Sequence, residues 1–399
     1  MRHISYLILI AAVSGCGKET QVTQPAEVLA RRMSSAFYEV DKFSASLGGT
    51  VSRGNSINDR RSVAGFSNLP GDSTRHATVW RGGSILDLGT LGGPNSNVPW
   101  PGQNDRNMIV GIAETAELDT LGQEWSCSAF FPTVTHHTCL GFVWSEGVMT
   151  PLPTLGGNNS FATGVNNRGS VVGWAETPVH DPTCTAPQVL QFRAVRWKPN
   201  KGTIDELPPL PGDSASAATA INDRGQVVGI SGDCDVAVGR FSARHAVLWE
   251  SGKVTDIGNL GGISWHTPMA ISEKGDIVGF SNPPGDADGS FIARAFLWTR
   301  EDGIRDLGTL PGDAFSQALG VNSRRQVVGV SFGGLSGSRA FLWQDGVMTD
   351  LNALVGDGFI DRLVSAQDIN ERGRITGRVL EQSTGVTLTF VATPRSGEP

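Results

Sequence analysis

Residues 321–351 read VNSRRQVVGVSFGGLSGSRAFLWQDGVMTDL, and worn copies of this stretch return along almost the whole chain. Its parts, in order, are a polar turn opening at Asn322, a Val-Val-Gly strand, a second strand ending in Trp343, and a third ending in Asp350 and Leu351. The turn and first strand recur seven times, at 58–65, 104–111, 166–173, 222–229, 272–279, 322–329 and 370–377. Successive starts lie roughly 50 residues apart, a period that suits propeller blades rather than leucine-rich or ankyrin repeats. Asn-Asp-Arg-Gly at 222–225 is tight-turn chemistry, because Asn bonds its own backbone at the first position and Gly tolerates the last. Arg61, Asn107 and Arg325 replace that Gly, so the turn type need not be the same throughout.

After each Val-Val-Gly strand comes a loop of variable length and a strand ending in Trp80, Trp144, Trp197, Trp249, Trp298 or Trp343, with Phe390 in the Trp place of the seventh copy. One aromatic per unit reads as packing between neighbouring sheets. A short turn leads to a further strand, and a Leu-Gly-Gly or Pro-Gly-Asp link leads to the strand before the next Asn. That makes four strands per unit, the content of a propeller blade. The seventh copy lacks its last strand, while an orphan segment at 38–49, YEVDKFSASLGG, matches it. Supplying it from the N-terminal side closes a ring and removes both sheet edges. The expected fold is all-β, a seven-bladed β-propeller of four-stranded blades over 38–394, with a tail at 395–399.

Composition agrees. The 399 residues include 51 Gly and 10 Trp but only 2 Tyr, as many short strands joined by tight turns require. A net charge of -7 offers no basic footprint for nucleic acid.

The copies resemble the HAF-type extracellular repeat family. The His-Ala-Phe run stands as His76-Ala77-Thr78 and His245-Ala246-Val247, with variants at Arg294-Ala295-Phe296 and Arg339-Ala340-Phe341; Leu-Gly-Thr-Leu-Gly-Gly is complete at 88–93. The resemblance covers nearly everything after Tyr38 and implies an exported repeat protein, with no reaction to carry over. His stands before Ala only twice, with Leu140 and Arg193 elsewhere, so surface or interblade hydrogen bonding is the expected role. At the N-terminus, Arg2, an apolar run at 4–13 and Val13-Ser14-Gly15-Cys16 resemble the signal and lipobox of bacterial lipoproteins. That resemblance implies a signal peptide at 1–15, lipidation at Cys16, a polar tether at 16–37, and an outer-membrane or cell-surface protein held to the membrane by its lipid.

In a blade the loop between the second and third strands emerges on the same side as the crossing to the next blade. Loops on this side are long at 111–140, 173–193 and 229–245, whereas the Asn turns opposite are uniformly short. Long insertions on one face often mark the binding face. Cys127, Cys139, Cys184 and Cys234 fall there, and four cysteines in an exported chain suggest disulfides. Of three pairings the simplest joins Cys127 to Cys139 and Cys184 to Cys234. No CxxC spacing or Cys/His cluster supports zinc, and Asp286-Ala287-Asp288-Gly289 lacks the closing ligands of a calcium loop, so no metal or cofactor is expected. Trp100, Trp125, Trp174 and Trp265 lie outside the repeat position on the long-loop face, as do His136, His137, His180 and His266.

Such aromatics can stack on a sugar or grip a peptide, or can pin the loops down. The expected function is non-catalytic binding of a glycan, peptide or protein partner by a monomer. The alternatives are a glycoside hydrolase or lyase working in the central depression of the same face, and a structural surface repeat. No repeated acid pair of glycosidase type favours an enzyme.

Overall fold

The computed structural model describes residues 37–395, apart from 124, 237 and 357. The signal segment, Cys16 and nearly all of the tether lie outside the described residues, as does the tail beyond Arg395. Seven four-stranded antiparallel sheets form the ring, a seven-bladed propeller. In the first, Ser52–Ile57 is innermost, followed outward by Val63–Asn68, Arg75–Arg81 and Ser84–Asp87. The last blade takes Arg362–Ile369, Ile375–Leu380 and Thr387–Pro394 from the C-terminal part and Tyr38–Phe43 from the N-terminal part. Tyr38 pairs with Pro394 and Phe43 with Thr389, so the orphan segment is the missing outer strand.

The tryptophans confirm this equivalence. Trp197 and Trp249 each pack between sheets and donate their indole N–H to a carbonyl just past the preceding blade's outer strand, Pro153 at 2.9 Å and Pro208 at 2.7 Å. Trp80 makes the same bond at 2.9 Å to Ala45, which follows Tyr38–Phe43. The seventh blade differs from the sequence expectation. Val327 pairs with Trp343 and Gly329 with Phe341, whereas Ile375 pairs with Ala392 and Gly377 with Phe390. The Trp position of that blade is therefore Ala392, and Phe390 is the counterpart of Phe341.

The glycine of Val-Val-Gly is required by close approach. Inner strands carry a bulge opposite it, between Ala318 and Gly320 in the sixth blade. The bulge pushes the Gln317 carbonyl so near that a Cβ on Gly329 would overlap it, and Gly65, Gly229 and Gly377 stand likewise against Arg53, Ala217 and Ser365. The bulged residues Met269 and Leu319 line the central cavity.

The turn asparagines link blade to blade. Asn58, Asn104, Asn166, Asn222, Asn322 and Asn370 each donate from Nδ2 to the main-chain carbonyl of the corresponding residue in the next blade, at 2.9–3.2 Å. Of the surface or interblade hydrogen bonding expected of the residue before the repeated Ala, the structure shows the surface kind, within one blade. His76 and His245 each meet an acid of their own blade's outer strand, Asp87 and Asp256, at 2.8 Å. Arg339 meets Asp350 in the same way at 3.3 Å. His and Arg thus exchange there because either completes a pair between the third and outer strands.

Candidate binding site

Crossings and long loops meet at one mouth of the axis around a cavity of about 540 Å³. Trp100 follows the inner strand of the second blade, Gly92–Asn97, Trp265 comes from the crossing into the fifth blade, and Val238 and Gly239 come from the long loop of the fourth. Met269, Phe280, Leu319 and Val330 add an apolar wall. Arg53, Arg362 and Arg378, from the first and last blades, line the cavity together with Ser365, Gln317 and Gln367; no Asp or Glu is among the described lining residues.

The arginines are unusually placed. Arg53 lies over the Phe66 ring, 5.2 Å from its centroid, and Arg75 lies over the same ring at 3.8 Å. Burial, with Arg378 and Arg75 nearby, holds the Arg53 guanidinium well below its ordinary pKa. Burial also lowers Arg378, and it brings Arg75 down to about 10. Arg75 is tied by Asn68 Oδ1 at 3.0 Å and the Phe130 carbonyl at 3.0 Å, and Arg362 donates from Nη1 to the Ser336 carbonyl at 2.7 Å. Arg53 and Arg378 have no ion pair or side-chain hydrogen bond among the described residues, and the Nε of each is buried without an acceptor.

The residues singled out by sequence separate into distinct surroundings. Trp100 and Trp265 are half-buried and reach the cavity; Trp100 packs tilted on Phe161 at 5.2 Å, and Trp265 meets Phe291 edge-on at 5.2 Å and donates to the Gly289 carbonyl at 2.9 Å. Trp174 is only 2% exposed, wedged between Phe161 and Phe192 beneath the insertions. Trp125 opens the short helix Trp125–Ser128, and its side chain lies outside the described residues. His136 is exposed in the second-blade insertion, and His137 bonds the Thr115 carbonyl at 2.8 Å. His266 is 1% exposed, held by Ser281 Oγ at 2.8 Å and the Gly262 carbonyl at 3.2 Å. None of these three histidines lines the cavity.

Cys127 is bonded to Cys139 within the second-blade insertion, and Cys184 to Cys234 between the third and fourth blades. Two such bonds suit an oxidising, exported setting. Glu114 lies beside the first pair, but sulfurs committed to each other are not thiolate ligands, and its carboxylate accepts from Asn95 N at 3.0 Å and Nδ2 at 2.9 Å. The Asp286 carboxylate is likewise filled, by the Ile263 and Ser264 amides, Ser264 Oγ and Asn282 Nδ2. Its fragment is a turn that anchors a crossing.

The opposite mouth of the axis has the reverse charge. Asp59, Asp105, Asp223, Glu273 and Glu371 surround a cavity of about 170 Å³. Several accept main-chain N–H groups from the adjoining blade, as Asp105 does from Asp59 at 2.9 Å and Asp223 from Asn167 at 2.6 Å.

Sequence reading missed the arginines. Arg378 follows the repeat glycine where the other six blades carry Phe66, Ile112, Trp174, Ile230, Phe280 and Val330. That departure from an apolar column was the available signal.

No protein-family model and no curated protein matches the chain. Among solved structures it is similar to the acylaminoacyl peptidase of Pyrococcus horikoshii, with a TM-score of 0.49 and 12% identity over 86% of this chain and 51% of that one. It is similar too to the propeller domain of the Pyrococcus furiosus trilobed protease, with a TM-score of 0.47 and 10% identity over 87% and 94% of the two chains. A Mycobacterium tuberculosis puromycin-hydrolyzing peptidase gives a TM-score of 0.47 and 11% identity over 89% and 56%. The chain thus spans about half the length of the first of these peptidases.

Proposed function

We propose that this protein is a binding propeller that captures a small or extended ligand, a glycan, a peptide or a segment of a protein partner, in the central depression of its long-loop face. The supporting observation is the convergence there of Trp100 and Trp265, supplied by the second and fifth blades, on one cavity of about 540 Å³. Indole rings offer wide contact at low entropic cost, and a depression of this size suits a small ligand or the tip of a larger one. Among the described residues the lining presents amides, hydroxyls, guanidinium groups and aromatics, which recognise ligands, and no carboxylate pair of the kind that cleaves glycosidic bonds.

The lipobox-like Val13-Ser14-Gly15-Cys16 and the HAF-type runs support the further reading that the body is exported and tethered to a membrane by an acylated Cys16. Among the described residues no helix is long and apolar enough to cross a bilayer. A glycan array and a peptide library, each probed with the wild type and with the Trp100→Ala plus Trp265→Ala double variant, test the binding reading. Hits lost in the double variant support it, and hits that bind both proteins equally overturn it.

A further inference from the structure

The repeat provides an internal control for the two unpaired arginines. At the position after the Val-Val-Gly glycine six blades carry an apolar side chain, two of which, Phe280 and Val330, line the cavity, and the seventh places Arg378 there. On the adjoining first blade, the inner-strand residue opposite Phe66 is Arg53, where the fifth and sixth blades have Thr267 and Gln317. Both departures stand where the last blade meets the first, and they put two guanidinium groups on one wall of one cavity.

Unpaired cations in a poorly hydrated site destabilise the empty protein, and a fold normally supplies a carboxylate to offset them. This chain has a surplus of acids, 39 against 32 basic residues, yet none lines the cavity among the described residues. Arg362 adds a third guanidinium at the rim. The planar fork of arginine matches a carboxylate with two parallel hydrogen bonds. The rest of the lining is the apolar wall of Met269, Phe280, Leu319 and Val330 with Trp100 and Trp265 beside it.

We infer that the depression takes a carboxylate attached to an apolar body, the chemistry of a peptide carboxy terminus ending in an apolar residue, with Arg53 and Arg378 holding the anion. This deepens the binding reading above and rests on it. The first and last blades hold the charged end while Trp100 and Trp265 close on the apolar part. The same carboxylate chemistry is found in a free small acid, and the choice of probes separates the two sources.

The experiment is calorimetric titration of the full chain with four probes: N-acetyl-phenylalanyl-leucine, its carboxy-terminal amide, 3-phenylpropionate, and phenyl phosphate. The peptide acid is expected to bind about 10- to 100-fold more tightly than its amide, the range of a charge-assisted hydrogen bond. Arg53→Gln and Arg378→Gln should each remove most of that difference, and Arg378→Gln should melt no lower than the wild type, because that side chain has no ion pair or hydrogen bond to lose among the described residues. Phenylpropionate binding as tightly as the peptide acid would support the carboxylate site and assign it to a small free acid. Equal affinity for acid and amide, or tighter binding of phenyl phosphate than of phenylpropionate, would overturn the inference. So would the failure of every acid to bind. A neutral glycan or amidated peptide still held in the depression, and released by Trp265→Ala, would then leave the binding reading standing, whereas loss of all ligands would remove both.

Discussion

Asn370 donates from Nδ2 to the carbonyl of Asn58 at 3.0 Å across 312 positions of sequence, joining the last blade to the first. It is one of six such bonds around the axis, and the link absent from the series lies between the fifth and sixth blades, where Ser272 replaces Asn. Ser272 Oγ still accepts the Lys274 and Asp276 amides as an Asn side chain would, but it has no second polar group to reach forward. Ser272→Asn is expected to complete the ring and raise stability by about 1 kcal/mol, the net worth of an added hydrogen bond. Asn370→Ala should lower it by about 1–3 kcal/mol, because the Asn58 carbonyl loses its partner in a buried setting. Urea denaturation of both variants checks the pair.

Lys42 ties the closing strand to its blade, with Nζ 2.5 Å from Asp361 and 2.8 Å from Glu381. Most of the closure is backbone pairing along the edge of Thr387–Pro394. Removing residues 38–49 should expose that edge and abolish the single cooperative melt, with aggregation in its place. Lys42→Ala should cost about 1 kcal/mol or less, because the ammonium is partly exposed and screened by solvent. Calorimetric scans of the two proteins separate these outcomes, and a shortened chain melting at the wild-type temperature would contradict the closure.

The disulfides differ in reach. Cys127–Cys139 closes a separation of 12 residues and Cys184–Cys234 one of 50. Loop-closure entropy then predicts losses of about 3 and about 4 kcal/mol on replacing each pair by Ala, with the larger for the bond that joins two blades. Guanidinium titration of the two double variants tests that order.

Burial lowers the His266 imidazole to about 4, against the Gly262 carbonyl and the Asp286 charge, which favour protonation. A base whose folded value lies below its ordinary 6.5 contributes stability that is complete above 6.5 and is lost as pH falls toward 4. The slope is about 1.4 kcal/mol per pH unit within that window. Glu176 and Asp368 act in the opposite sense. Desolvation raises each to about 7, so each contributes stability at low pH that fades as pH rises through 7. The melting temperature of His266→Gln, taken relative to the wild type at the same pH, should therefore rise as pH falls from 6.5 to 4 and stay level above 6.5.

Much of this architecture could be read from sequence because seven imperfect copies amount to seven observations of one unit. The period located the Asn turns and exposed 38–49 as a displaced outer strand, and alternation of strand direction put the long loops on one face. Side-chain orientation was less accessible. Trp100 and Trp174 fall on the same face, but Trp174 occupies the column shared with Phe66 and Ile230 and points between sheets, as that column required. His266 gave no such clue, since its burial depends on the crossing folded over it. The arginine pair was obscured for a different reason. Arg53 and Arg378 stand at opposite ends of the sequence, and attention to long insertions led away from the first and seventh blades. Only closure of the ring makes them neighbours.

That closure also orients the molecule. The third strand of the last blade ends at Pro394 beside the Asn370 turn, on the acidic mouth, and Tyr38 pairs with Pro394. Polypeptide arriving at residue 37 therefore enters the body on the side remote from Arg53, Arg378 and the two tryptophans. The acidic mouth thus carries both the start of the closing strand and the end of the strand it pairs with, and leaves the arginine-lined mouth clear of either.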